Sequence, residues 1–471
     1  MSCPSANFRR TAIAGACLAI AAAPALGAGF ALQENSASGL GNAYAGGAAV
    51  ADDATTLWSN AAGMARLPTG QFAGALNFIW PSIEFRNAGS VAALQQPLGG
   101  DGGNAGGLNV VPNLYLSWPI DRQWSVGLGV NAPFGLKTEY DDGWIGRFQG
   151  LKSEIKTINV NPAVSWKPMD SLSFGLGANY QHIDATFTSN ANYSAALLAA
   201  AGCSGPNADP QTCAAIAQAT PGLQSNVEVT GSDAAWGWNL GVLVELTPDH
   251  RIGAQYRSAL KYDVGGRVDF DNPGLPAGLP PSLQGLAAAV NTQLLYDSDI
   301  RSSIKLPEIV NISYFGRLNA RWDLMADVQY TGWSSIQTLT FTRSNGSPLQ
   351  TTTEDFRNAW RVALGANYRH DAQWLLRGGL AYDQTPVQDG SRTVRLPDSN
   401  RTWLALGARY TPDPKWWVDV GAAYIWVKSG SIDEIGSSNF GQPPSAASSG
   451  RVTGSYDNNV FVLSAQVTFA F

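Results

Sequence analysis

The sequence predicts an all-β fold: a transmembrane antiparallel β-barrel of about fourteen strands, with an N-terminal hatch (plug) inside the barrel. Three observations lead there. Apolar residues alternate with small or polar ones along most of the chain, as in Trp124-Val126-Leu128-Val130 against Ser125, Gly127, Gly129 and Asn131, so each strand has one greasy and one wet face. The final run, Phe461-Leu463-Ala465-Val467-Phe469-Phe471, ends flush with the carboxyl terminus in an aromatic residue, as bacterial outer-membrane barrels usually do. Charged residues make up only 14% of the chain, against about 25% in a soluble protein, which suits an outer surface given to lipid.

The elements follow in order. Arg9 and Arg10 precede an apolar stretch from Thr11 to Ala23, then Pro24 and the small-residue site Ala25-Leu26-Gly27. Residues 1–27 read as a secretory signal peptide, because the apolar stretch falls short of the about 20 residues that a spanning helix needs. Cys17, after Ala14-Gly15-Ala16, faintly resembles a lipoprotein acylation site, but apolar residues continue on both sides of it. Residues 28–69 show no alternation and are rich in small residues, with Gly39, Gly41, Gly46 and Gly47 before Asp52-Asp53-Ala54. A compact segment of this length ahead of a barrel fits inside it as a hatch. Gly39-Leu40-Gly41 superficially matches a dinucleotide fingerprint, but no strand precedes it and no βαβ unit follows.

Residues 70–471 form the barrel. Further strands include Leu172-Phe174-Leu176-Ala178-Tyr180, Trp236-Trp238-Leu240-Val242-Val244, Trp360-Val362-Leu364-Ala366-Tyr368 and Trp416-Val418-Val420-Ala422-Tyr424-Trp426. Tryptophan and tyrosine at strand ends read as interfacial girdles. In the third strand, Asn131-Ala132-Pro133-Phe134-Gly135-Leu136 breaks the pattern. Proline offers no N–H to the ladder and glycine permits a bulge. Because every backbone group in a barrel wall must be paired, the break is either a bend near a loop end or a passage through the wall, filled or open. Long external loops are expected near 190–225 and 272–296. The first carries apolar helix-forming stretches around Cys203 and Cys213, ten residues apart; in an oxidising compartment these two are a candidate disulfide. The second carries Leu275, Leu279, Leu283, Leu286 and Val290. Both loops read either as helices packed on their neighbours or as a greasy landing surface.

Taken in chain order, these residues resemble the FadL family of outer-membrane transporters for long-chain fatty acids and other hydrophobic compounds. The resemblance is carried by Gly29-Phe30-Ala31-Leu32, Ser38-Gly39-Leu40-Gly41-Asn42-Ala43-Tyr44, Ala51-Asp52-Asp53-Ala54, Val111-Pro112-Asn113, Phe134-Gly135-Leu136 with Thr138-Glu139-Tyr140, Trp333, Arg361-Val362-Ala363-Leu364-Gly365 and Leu396-Pro397-Asp398. It implies a fourteen-stranded barrel and a passive route: capture in an outer groove, transfer to an inner pocket near the N-terminus, and sideways exit through the kinked third strand. On that reading Asn131, Pro133, Phe134 and Gly135 form the passage, and Gly29, Phe30, Asp52, Asp53 and Asn60 form the gate. A long acyl chain gains about 0.8 kcal/mol per methylene on leaving water, a gain it keeps along a sideways route. The chain departs from the family twice. Asn60-Ala61-Ala62 stands where the family usually has Asn-Pro-Ala, and Ser189 and Thr340 occupy positions where some members carry an arginine and a lysine for a carboxylate. Arg343, Arg361, Arg377 and Arg401 are the remaining candidates for an acid head group, with Asp383 and Asp398 as neighbours able to neutralise them.

Other classes are disfavoured. No apolar run beyond the signal spans a bilayer as a helix, and a formal charge of −6 argues against nucleic acid. The only histidines are His182, His250 and His370, and no Gly-x-Ser-x-Gly occurs, so no enzyme, cofactor or metal is expected; His182 beside Asp184 reads as structural. A fatty-acid channel is the first functional expectation, uptake of aromatic or aliphatic hydrocarbons the runner-up, and a general porin a third, which the hatch argues against. The expected partners are the hydrophobic ligand, outer-membrane lipid and the barrel assembly machinery at Phe471. A monomer is expected, since a closed barrel has no edge to pair.

Overall fold

The computed structural model describes residues 28–275 and 280–471; the expected signal peptide, Cys17 and Leu279 lie outside the described residues. The wall is a closed antiparallel sheet of fourteen staves, several interrupted along their length. In chain order they are β1 (Gln71–Asn87), β2 (Asn109–Pro119), β3 (Trp124–Asn131 and Gly135–Glu139), β4 (Lys152–Met169), β5 (Leu172–Asn192), β6 (Gln224–Thr247) and β7 (His250–Arg257 and Leu260–Asp271). There follow β8 (Ser298–Leu306 and Ile309–Arg317), β9 (Trp322–Thr331 and Thr338–Arg343), β10 (Pro348–Thr353 and Ala359–Arg369), β11 (Trp374–Asp383), β12 (Arg401–Asp413), β13 (Trp416–Val427 and Gly430–Glu434) and β14 (Val452–Ala470). Each stave pairs with the next, and β1 pairs with β14 from Gln71↔Ala470 to Asn87↔Gly454, which closes the wall.

The period-2 pattern sets the two faces. Leu364, Leu380, Leu406 and Leu176 point outward and are exposed, while Ser464, Gln466 and Thr468 of β14 are buried although polar. This inversion of the soluble-protein rule is what lipid outside and protein inside require. Aromatic rings collect at two levels. Trp118 meets Phe471 at 5.3 Å, Trp124 meets Trp166 at 5.8 Å and Trp374 meets Tyr410 at 4.7 Å beside the short turns. Tyr180 meets Trp236 at 5.0 Å and Tyr330 meets Trp360 at 5.1 Å near the other end. Amphipathic rings settle at membrane interfaces, so these rows bound the spanning band.

Residues 28–70 lie within the lumen and are held from nearly every side. The segment winds through α1 (Ala37–Leu40), α2 (Gly47–Val50), α3 (Thr56–Ser59) and a 3₁₀ turn over Ala61–Arg66. The Ala37 N–H donates to Gln466 Oε1 at 3.1 Å, Asn77 and Asn113 donate their amides to Glu34 O, and Ala48 N–H donates to Ser313 Oγ. Asn60 donates to Val242 O at 2.9 Å and accepts the Ala62 N–H, capping the 3₁₀ turn. The Asn60-Ala61-Ala62 turn is thus secured by its asparagine without a proline. The approach is close enough to need glycine in the wall: a β-carbon at Gly241 would overlap Asn60, and one at Gly253 would overlap the Ala48 carbonyl.

Outside, α4 (Tyr193–Ala200) and α5 (Pro210–Ala219) fold together, and Cys203 is disulfide-bonded to Cys213 with Cα atoms 5.7 Å apart. Tyr193, Leu197 and Ile216 pack with Leu283 and Val290 around α6 (Pro281–Ala289). The apolar residues of these loops largely bury one another.

The wall yields two predictions. Leu364→Arg, at the lipid face of β10, lowers stability by about 2–4 kcal/mol, read by denaturant unfolding in bilayers. Deleting Phe471 removes the 2.9 Å bond from its N–H to Gly70 O and its contact with Trp118; the folded fraction in the outer membrane falls, read by heat-modifiable gel mobility.

Candidate functional site

The break in β3 is filled by the beginning of the N-terminal segment. Leu32 donates its N–H to Pro133 O at 2.8 Å, and Gly135 donates its N–H to Phe30 O at 2.9 Å. Ala31 and Phe134 therefore face each other as one antiparallel bridge. The remaining groups go to β4: Phe134 donates its N–H to Thr157 Oγ1 at 3.0 Å, and that hydroxyl donates to Phe134 O at 2.7 Å. Asn131 accepts from Asn159 at 3.1 Å. Proline brought no N–H to this gap, and residues 30–32 with one threonine pair the Pro133 carbonyl, both Phe134 groups and the Gly135 N–H. The Phe30 ring lies 4.8 Å from Trp333 and 5.9 Å from Phe134. Gly29 has φ +64°, and its N–H donates to Asp398 Oδ2 at 2.8 Å.

Above this strap lies an apolar pocket with about 580 Å³ of unfilled space, part of it open to solvent. Phe30, Leu136, Phe187, Ile304, Leu339 and Phe341 line it. Its one lining cation is Arg395, on the loop between β11 and β12, and its one lining acid is Glu354. Arg395 Nη1 donates to Lys152 O, Ser153 Oγ and Thr188 O at 3.1–3.3 Å, and among the described residues its guanidinium makes no other hydrogen bond. Its loop is fixed by Val394 N–H to Glu434 at 2.8 Å, Tyr140 hydroxyl to Val394 O at 2.8 Å, and Thr138 hydroxyl to Arg395 O at 3.2 Å. Burial pulls the guanidinium down to about 10, still cationic at neutral pH. Burial, with Glu434 beside it, pushes Glu354 up to about 8; burial pushes Glu434 up to about 7. Near pH 7 the pocket thus presents a cation and a largely protonated acid at one end of an apolar trough.

The residues singled out from the sequence fall in different places. Gly29, Phe30, Asn131, Pro133, Phe134 and Gly135 converge at the filled break. Asp52 and Asp53 lie deeper, in a charge network: Arg409 reaches Asp53 at 2.9 Å, Asp419 at 2.9 Å and Asp52 at 3.2 Å, and Arg377 pairs with Asp419 and with Asp52 at 3.5 Å. Asn60 sits below, against β6. The four candidate arginines are all engaged by the protein. Arg401 pairs with Asp398, Arg377 with Asp419, and Arg361 donates to Ala43 O. Arg343 donates to Leu294 O at 2.7 Å and Tyr296 O at 3.0 Å, outside the pocket. Asp383 does not pair with Arg377, whose partners are Asp419 and Asp52. Ser189 leaves the pocket without a strand-borne cation, and Thr340 accepts from the Thr351 hydroxyl at 3.3 Å. Arg395 was missed because alternation gives no signal in a loop; its one trace was its place before the Leu396-Pro397-Asp398 motif. His182 lies 3.2 Å from Asp184 on an exposed surface, remote in character from these sites.

Below the strap the lumen carries charged groups among apolar ones. A second cavity between the N-terminal segment and the wall is lined by Gln255, Arg257, Asn311 and Arg361 together with Leu32 and Trp58, and a periplasm-side vestibule adds Arg66, Arg251, Arg317 and Asp323.

Comparison with known proteins agrees with this architecture. A model of the family described as "Outer membrane protein transport protein (OMPP1/FadL/TodX)" matches residues 18–471. The chain is 32% identical over 436 residues to the long-chain fatty acid transport protein of Escherichia coli K12, covering 91% of this chain and 94% of that protein. It is 30% identical over 451 residues to outer membrane protein P1 of Haemophilus influenzae, covering 91% and 92%. The crystal structure of a Pseudomonas aeruginosa FadL homologue superposes with a TM-score of 0.82 at 24% identity, covering 94% of this chain and all of that one. The Pseudomonas putida toluene transporter TodX superposes at 0.62 with 16% identity, covering 94% and 100%. The chain belongs to the OMPP1/FadL/TodX family of bacterial outer-membrane transport proteins.

Proposed function

We propose that this barrel carries long-chain fatty acids passively across the outer membrane, holding the acyl tail in the apolar pocket and the carboxylate at Arg395. One observation carries the reading: the apolar pocket has a single lining cation, and its floor includes Phe30, the residue whose carbonyl closes the β3 break. The identity to a protein named for long-chain fatty acid transport supports the substrate class. On this reading residues 28–69 are the hatch, and 30–32 are the part that moves. Two backbone hydrogen bonds of about 0.5–1.5 kcal/mol each hold the strap in the wall. A chain pressing on Phe30 meets a small barrier there. The lumen below sets Arg257, Arg361 and Arg377 across the way down, so on this reading the tail leaves sideways through Asn131–Gly135 into the outer leaflet.

A hydrocarbon substrate is the second reading. It is favoured by Ser189 and Thr340, which leave the strands around the pocket without the basic pair that the family resemblance implies for a carboxylate. Arg395 answers it, since its guanidinium reaches Thr188 O, next to Ser189.

Three outcomes test the proposal. In cells lacking their own importer, the chain restores uptake of labelled oleate, and Arg395→Gln lowers it about tenfold or more, the scale of one charge-assisted hydrogen bond; uptake of a labelled aromatic hydrocarbon unaffected by that change, with no oleate uptake by the parent chain, transfers the function to hydrocarbons. Oxidised Ala31→Cys/Phe134→Cys binds oleate but stops its uptake, and reduction restores it. Binding of the carboxylate weakens as pH rises from 7 to 9: Glu354, protonated below about 8, ionises and competes for Arg395. Glu354→Gln reduces that dependence and Glu354→Gln/Glu434→Gln abolishes it, since Glu434, pushed up to about 7, also faces Arg395; both are read by titration calorimetry.

A further inference from the structure

The wall has a second discontinuity, between β8 and β9. Their outer ladder consists of Ile300↔Arg343 and Arg301↔Thr342. Regular pairing resumes only at Ile309↔Thr331. Between these, the staves are joined by Gly332 N–H to Glu308 O at 3.0 Å and by the Ser335 hydroxyl to Lys305 O at 2.8 Å. Ser302, Ser303 and Ile304 thus face Ile336–Phe341 without ladder pairing. Ser302 Oγ is buried there with no partner. The slot is pinned at both ends, above by Arg343 clamped to the Leu294 and Tyr296 carbonyls, and below by the Gly332–Glu308 backbone bond, one residue past Thr331 and beside the level of the Tyr330–Trp360 rings. It therefore stands just outside the aromatic row, where lipid head groups and water solvate a backbone that hydrocarbon would not tolerate.

Both lips open onto the same pocket. Ile304 from β8, with Ile336, Leu339 and Phe341 from β9, line its apolar wall. By period 2 the outward positions are Ser303 and Lys305 on one lip and Thr338 and Thr340 on the other. Arg301 and Lys305, both exposed, make no ion pair among the described residues.

We propose that the slot between β8 and β9 is the entry portal of the pocket, admitting a single-chain carboxylate amphiphile tail-first from the outer-leaflet surface past Arg301 and Lys305. The inference rests on the fatty-acid reading above and adds to it an entrance distinct from the β3 exit. Cations at the mouth raise the encounter rate of an anion without adding to the buried contacts.

The test is a covalent lock outside the pocket. Ser303→Cys/Thr340→Cys is made in a full-length chain whose Cys203 and Cys213 are replaced by serine, and folding is verified by heat-modifiable mobility. If no disulfide forms, the thiols are bridged by a bis-maleimide. Binding of a fluorescent polyene fatty acid is followed by stopped flow in lipid nanodiscs. In a background whose β3 exit is shut by the oxidised Ala31→Cys/Phe134→Cys pair, the locked barrel shows association and release both slowed about tenfold or more with Kd unchanged, since a gate alters rates and not affinity. Association at the unlocked rate in locked protein overturns the portal, whatever happens to Kd. Loss of affinity with no slowing marks pocket damage and overturns it as well. Arg301→Glu/Lys305→Glu slows association several-fold at low salt and leaves release unchanged; no salt-dependent slowing removes the role given to the cations. If the unlocked chain binds no fatty acid, the substrate reading itself falls, and the portal with it; normal binding with an inert lock removes only the portal.

Discussion

Backbone hydrogen bonding is the constraint on which the rest of this structure depends. A wall in contact with hydrocarbon cannot leave an N–H or C=O unpaired, and Pro133 guarantees a gap in β3. The gap is filled by Phe30 and Leu32, which belong to a segment that enters the lumen about a hundred residues earlier in the chain. That borrowed pairing ties the position of the N-terminal segment to the integrity of the wall. It also means that the β3 break is closed by groups that are not part of any stave.

The interior is divided by the same segment into two environments. On the outer side, Phe30 joins aromatic and aliphatic side chains from β3, β4, β5, β8 and β9 around an apolar trough. On the inner side, Arg377, Arg409, Asp52, Asp53 and Asp419 form a buried network fixing the segment to β11, β12 and β13. Ionic groups buried this deeply persist because each has a partner, and removing one member strands the others. The base of the segment is anchored by charge, whereas its tip is held by two neutral backbone bonds and the Gly29–Asp398 contact. Mobility is therefore expected at the tip.

Arg395 brings a cation to the pocket from a loop and not from a strand. The strand position beside the pocket carries Ser189, yet a guanidinium reaches the neighbouring Thr188 carbonyl from a loop over two hundred residues away. Glu434 and Tyr140 hold that loop down through Val394. The four arginines singled out from the sequence are engaged elsewhere, Arg377 and Arg401 by aspartates and Arg361 and Arg343 by backbone carbonyls. Arg343, at the head of the β8–β9 slot, clamps a neighbouring loop.

The sequence by itself determined what depends on local pattern. Period-2 alternation sets which face of each stave meets lipid, aromatic residues at strand ends mark the interfaces, and Pro133 with Gly135 announces the break in β3 because proline has no N–H for the ladder and glycine permits a bulge. The motif order also placed the chain in its family. Only the tertiary structure decided which groups fill the break, which arginine reaches the pocket, and where β8 and β9 part. Each of these is a contact between residues remote in sequence, set by the register of fourteen staves and the packing of the segment inside them, and no local spacing encodes it.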